Sequence, residues 1–174
     1  MKTILKITII TILVGIVVLL IGFLVPQDLR MPVVGATAKS YNHQTFWYEG
    51  WGASIVHKGV DVFAKKGTPI NSSTSGIVIS TGNGRKSGKF VLVLGPKWRL
   101  HYYAHLDEIT TTRFAFVNSN TQIGTVGNTG NAATTPAHLH YAILTPIPYP
   151  WLADDSTLGW QKMFYLNPIK YFSD

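Results

Sequence analysis

The chain contains no cysteine, which removes thiolate metal sites, thiol nucleophiles and disulfide staples together. Charge is also scarce, since Asp, Glu, Lys and Arg make up only 13% of the 174 residues and just 8 of them are acidic. No acid stands in an H-E-x-x-H pattern, so no helix-borne glutamate is offered as a general base. The 15 basic residues are scattered rather than blocked together. That spacing excludes nucleic acid as the expected partner, while the net charge of +7 still favours anionic lipid headgroups or acidic polymers. Removing Lys2 and Lys6 from the 15 Lys and Arg leaves 13 against 8 acids, so about +5 remains beyond the first 26 residues. Long runs of helix formers are missing after that point. In their place stand Gly, Pro, Val, Ile, Thr, Tyr and Phe, a mixture that predicts short strands joined by turns.

The one long apolar run lies at the start. Ile7 to Val25 is nineteen residues without a charge, closed by Pro26 and Gln27. At about 1.5 Å per residue it nearly covers a hydrocarbon core of about 30 Å. A cleavable signal has a shorter apolar region, about 7–15 residues, so residues 1–26 read as an uncleaved membrane anchor, with a cleaved signal as the alternative. Lys2 and Lys6 precede the span and predict a single-pass protein of the cytoplasmic (inner) membrane, with its soluble part facing the periplasm or cell exterior. Residues 27–49 read as a linker and lead-in, and residues 50–174 as the functional domain.

Within that domain, strand-like runs at Val60–Ala64, Gly76–Ser80, Phe90–Leu94, Arg99–Leu106 and His138–Leu144 alternate with turn signals, Gly124–Gly130 among them. Phe90–Leu94, apolar throughout, reads as a strand buried on both faces. Strands this close together, without crossover helices, predict an all-β fold: an antiparallel β-sandwich or partly open barrel. Histidines carry the chemistry. In an extended strand His57 and Asp61 would share one face, as would His138 and His140. His105 stands alone within Tyr102-Tyr103-Ala104-His105-Leu106, on the face that alternation gives to His101 and Tyr103. Two histidines and an aspartate are a common ligand set for a catalytic zinc. His43 and His101 have no such company and read as a linker residue and a strand-surface residue.

The order His57-x-x-x-Asp61, Tyr103-Ala104-His105-Leu106, His138-Leu139-His140-Tyr141 resembles the signature of the lysostaphin/LytM-type zinc metallopeptidases. Gly67-Thr68-Pro69-Ile70, Ser75-Gly76-Ile77-Val78 and Gln122-Ile123-Gly124-x-x-Gly127-Asn128-Thr129-Gly130 are similar to other parts of that family's pattern, over about residues 50–172. The resemblance implies one zinc ion held by His57, Asp61 and His140, with His105 and His138 as a catalytic pair. It implies hydrolysis of peptide cross-links in bacterial peptidoglycan. The alternative within the same fold is a non-catalytic relative that binds cell wall and regulates amidases. Two stretches depart from the pattern. Residues 146–165 are longer and more aromatic than usual, suiting either a groove wall or a packed lid, and Glu49–Ser54 lacks an arginine often present there.

Overall fold

The structure is a computed structural model that describes residues 2–172; Met1 and residues 173 and 174, which end the predicted anchor and domain, lie outside them. Helix α1, Lys2–Leu24, is apolar on every side, and its side chains are exposed almost throughout. Thr8 and Thr11 turn their hydroxyls back onto the carbonyls of Ile4 and Ile7, so neither leaves an unpaired donor on that apolar surface. The next residues fold onto the body. Arg30 N donates to Ser73 O and Asn71 N to Pro32 O, and Leu29, Val33, Tyr41 and Trp47 are buried.

The body is one antiparallel sheet. Its main path runs β1 (Val60–Phe63), β8 (His138–Leu144), β5 (Leu100–Ile109), β4 (Gly88–Leu94), β3 (Gly76–Gly84), β6 (Phe116–Val117). Strand β7 (Gln122–Val126) branches from β5 and carries β2 (Pro69–Asn71), while β9 (Tyr165–Leu166) adds to β8. Among the described residues β1 and β6 do not pair, so the sheet stays open, as the partly open barrel expectation had it. Valines, isoleucines and leucines from β1, β3, β4, β5, β7 and β8 meet Leu29 and Val33 in one core. Strand β4 is buried on one face only, its residues alternating between buried and half-buried, because a single curved sheet covers just its inner side. Gly124, expected in a turn, lies inside β7: a Cβ there would come within 2.5 Å of Glu108 O, so only glycine lets the two backbones pair this closely.

Register defines two ends. At one, Phe116, Ile77, Leu94, Leu100, Leu144 and Tyr165 are successive cross-strand partners, with the Gly95–Arg99 turn beyond them. At the other stand the β3–β4 turn and the start of β8.

A buried polar seam runs behind β5 and β8. Ser73 Oγ lies 2.8 Å from Tyr103 Oη and 2.6 Å from Tyr141 Oη, and His101 Nδ1 lies 2.7 Å from Tyr141 Oη. Gln27 Nε2 donates to His101 Nε2 at 3.0 Å, which places the His101 proton on Nδ1. His101 is therefore a core residue with no exposed surface rather than a surface one. Burial first, and the Arg99 charge second, push its imidazole down to about 3.

Candidate metal centre and cleft

His57, Asp61 and His140 converge, although not by the strand geometry expected. Four residues of extended strand would hold His57 and Asp61 about 13 Å apart, yet His57 Nε2 lies 3.1 Å from Asp61 Oδ1. β1 starts only at Val60, and the chain bends at Gly59 before it. That bend brings Gly59 under His140, so close that a Cβ would lie 2.6 Å from Tyr141 O and 2.9 Å from His140 Cε1. His140, paired with Asp61 across the β1–β8 ladder, points Nδ1 at Asp61 Oδ1 at 2.8 Å and at His57 Nε2 at 3.1 Å. The three ligand atoms lie within 4.8 Å of one another.

Backbone carbonyls set the tautomers. His57 Nδ1 is 3.1 Å from Thr45 O; a carbonyl only accepts, so the proton is on Nδ1 and the Nε2 lone pair faces Asp61. Trp51 stacks on the same ring, with centroids 4.1 Å apart and planes 23° apart. His105 Nδ1 donates to Thr129 O at 2.9 Å and His138 Nδ1 to Pro136 O at 2.8 Å, leaving both Nε2 atoms as acceptors. The two rings lie 5.1 Å apart, and His138 Nε2 is 3.9 Å from Asp61 Oδ2.

His105 reaches this cleft by a backbone exception. Alternation along β5 puts it with His101 and Tyr103, both of which point into the core. Its φ of +64° turns it to the opposite side, beside Tyr102 and Ala104. A non-glycine residue in the left-handed region is uncommon and marks a functional or strained site. Burial pushes its imidazole down to about 4, against the opposing pull of the Thr129 hydrogen bond. Burial would raise the Asp61 carboxyl, but the His140 and His57 imidazoles packed against it hold it well below the usual carboxylate range.

These donors suit a zinc ion. A carboxylate oxygen and two imidazole nitrogens are zinc ligands, and bonds of about 2.1 Å at tetrahedral angles set donors about 3.4 Å apart. The observed separations of 2.8, 3.1 and 3.1 Å are just inside that. The His57 lone pair facing a carboxylate oxygen is unfavourable without a cation or a second proton between them. The five residues open onto a cleft of about 850 Å³, also lined by Trp51, Lys58, Lys86, Leu158 and Gln161. Sequence reading did not single out Trp51, Thr45, Thr129 or Pro136. Three of them, Thr45, Thr129 and Pro136, act through main-chain oxygens, which leave no mark in residue type. Leu158 and Gln161 come from the aromatic 146–165 stretch, which Trp47 Nε1 ties down by donating to Thr157 O at 3.0 Å. His43 stays apart, exposed, 3.0 Å from Ala38 O.

The family model of peptidase family M23 matches residues 55–147, which hold all five cleft residues. The chain belongs to peptidase family M23. Among M23 relatives it is 30% identical over 112 residues to an L-Ala–D-Glu endopeptidase of Bacillus subtilis, covering 59% of this chain and 34% of that protein. It is 33% identical over 88 residues to a peptidoglycan DD-endopeptidase of Vibrio cholerae, covering 51% of this chain and 20% of that one. The chain thus spans about a third or less of the length of these curated relatives. Its fold is that of the lysostaphin catalytic domain from Staphylococcus simulans, with a TM-score of 0.60 at 21% identity, covering 78% of this chain and 97% of that domain.

Proposed function

We propose that this M23 chain is a zinc-dependent endopeptidase that hydrolyses peptide cross-links of bacterial peptidoglycan close to a membrane. Residues 50–174 form the peptidase unit with 27–49 packed upon it. His57, Asp61 and His140 hold one zinc ion, and the observation that carries this is their convergence, with the His57 lone pair aimed by the Nδ1–H bond to the Thr45 carbonyl. When bound, zinc supplies Lewis acidity to a scissile carbonyl and acidifies the attacking water. His105 and His138 divide the proton work through their Nε2 atoms. One accepts the water proton; the other, protonated, donates to the developing oxyanion, and the leaving amine then takes up a proton. Their fixed Nδ1–H bonds orient both rings and spare reorganisation during the step. Lys58 and Lys86, on the cleft wall, favour an anionic peptide. Support for the substrate comes from the similarity to the Vibrio cholerae peptidoglycan DD-endopeptidase. Support for the location comes from helix α1, long and apolar enough to cross a membrane, with Lys2 and Lys6 predicting that the body faces the periplasm or exterior.

Metal analysis of the purified chain is expected to give one zinc per molecule, and mass spectrometry to detect new peptide termini in treated peptidoglycan. His105→Ala and His138→Ala should each keep the zinc and lose activity by roughly 10²–10⁴-fold. Stoichiometric zinc loss in either variant would refute the ligand assignment.

A further inference from the structure

The end of the sheet opposite the cleft carries an unusual surface. The β4–β5 turn, Gly95–Arg99, folds against the last turns of helix α1: Trp98 Nε1 donates to Leu19 O at 2.9 Å, and a Cβ at Gly22 would lie 2.2 Å from the Trp98 indole. Lys97 and Trp98 are both left-handed, with φ of +59° and +58°, so the turn is held in a costly shape to make this contact. Along the same end, through the row Leu100, Leu94, Ile77, Phe116, stand two outward phenylalanines. Phe116 is 83% exposed and Phe114 66%, with the Arg113 guanidinium 4.6 Å over the Phe114 ring. Stretches 95–100 and 110–118 carry Lys97, Arg99 and Arg113 and no acid.

Aromatic rings beside lysine and arginine, level with the end of an apolar helix, are the pattern of a bilayer headgroup region. The geometry points to a docking face: the sheet end bearing Trp98, Lys97, Arg113, Phe114 and Phe116 rests on an anionic lipid surface, with the cleft turned away from it. This rests on the reading of helix α1 as a membrane span, and continuity of the Trp98 turn with that helix argues for lipid as the occupant. His140 pairs with Ala104, four residues along β5 from Leu100. The metal centre therefore stands about 13 Å of strand above the docked end.

The absence of cysteine makes the test direct. The full chain carrying Phe116→Cys, Arg85→Cys or Ile16→Cys is labelled with an environment-sensitive fluorophore. Each is reconstituted in phosphatidylcholine vesicles with or without phosphatidylglycerol, and quenched by nitroxide lipids. The label at residue 16 is expected to respond to mid-chain nitroxide. The label at 116 should be quenched by headgroup nitroxide severalfold more than the label at 85, and more strongly with phosphatidylglycerol present. Quenching at 16 with none at 116 would overturn the docking face while leaving the span intact. Equal quenching at 116 in both lipids would overturn the anionic preference. No quenching at 16 would overturn the span and the docking with it.

Discussion

At the residue scale, two histidines of one strand have opposite lives. His105 is turned out of the sheet's alternation to reach the cleft, whereas His101, four residues earlier, keeps the alternation and is sealed in the core. A buried histidine whose folded pKa is about 3 stays neutral long after the unfolded chain, at about 6.5, has taken up its proton. The unfolded state therefore binds more protons between these values, so stability is full above about pH 6.5 and falls as pH falls through that window. The loss from this group should reach roughly 3 kcal/mol by about pH 4. Urea unfolding followed by tryptophan fluorescence at a series of pH values will measure it. His101→Gln should be less stable at neutral pH but show a shallower acid slope, and an unchanged slope would remove His101 as the cause. The histidine pattern was legible: residue types and order brought forward five positions that the structure gathers at one cleft, while the roles expected of them came from the family resemblance. It misjudged His101, because the partners that bury it, Gln27, Ser73 and Tyr141, are 74, 28 and 40 positions away.

At the scale of elements, the sheet holds its cleft histidines through close backbone contacts between loops. The β3–β4 turn presses on the loop after β7, where a Cβ on Gly130 (φ +71°) would lie 2.2 Å from Gly88 N and 2.5 Å from Lys86 O. The neighbouring Thr129 O anchors His105. Gly130→Ala should thus cost about 2 kcal/mol or more, from left-handed strain and collision together. The thermal midpoint should drop, and peptidase activity should fall even below the new midpoint as His105 loses its anchor. Activity unchanged at moderate temperature would separate the loop from the site. Strands β1, β3, β4, β5 and β8 were legible to within a few residues from apolar runs and turn signals, whereas β7, with Gly124 inside it, read as part of a turn. The short strands β2, β6 and β9 were not, since two or three residues carry no periodicity. The bend at Gly59 was equally hidden: only the close approach of Tyr141 O and the His140 ring shows why the chain must leave the extended state there.

For the whole molecule, the proposed zinc ion would link metal binding to folding. An ion that binds the folded chain and not the unfolded one stabilises it by about 4 kcal/mol at a thousandfold excess over its Kd. For a chain of this size that is roughly 10 °C in thermal midpoint. Chelation should lower the midpoint by about that much and added zinc should restore it, while His57→Ala should be indifferent to both. A wild-type midpoint insensitive to chelator and zinc alike would count against the site. The stem between helix and body has a further consequence. Leu24 ends the helix and Leu29 is already buried in the core, and five residue steps span at most about 18 Å. With the helix in a bilayer, the enzyme would search in two dimensions, its cleft carried at a nearly constant height like a blade on a fixed guide. Its rate would then depend on how closely the wall approaches the membrane, and lengthening the stem would change which layer of wall is cut without altering the chemistry.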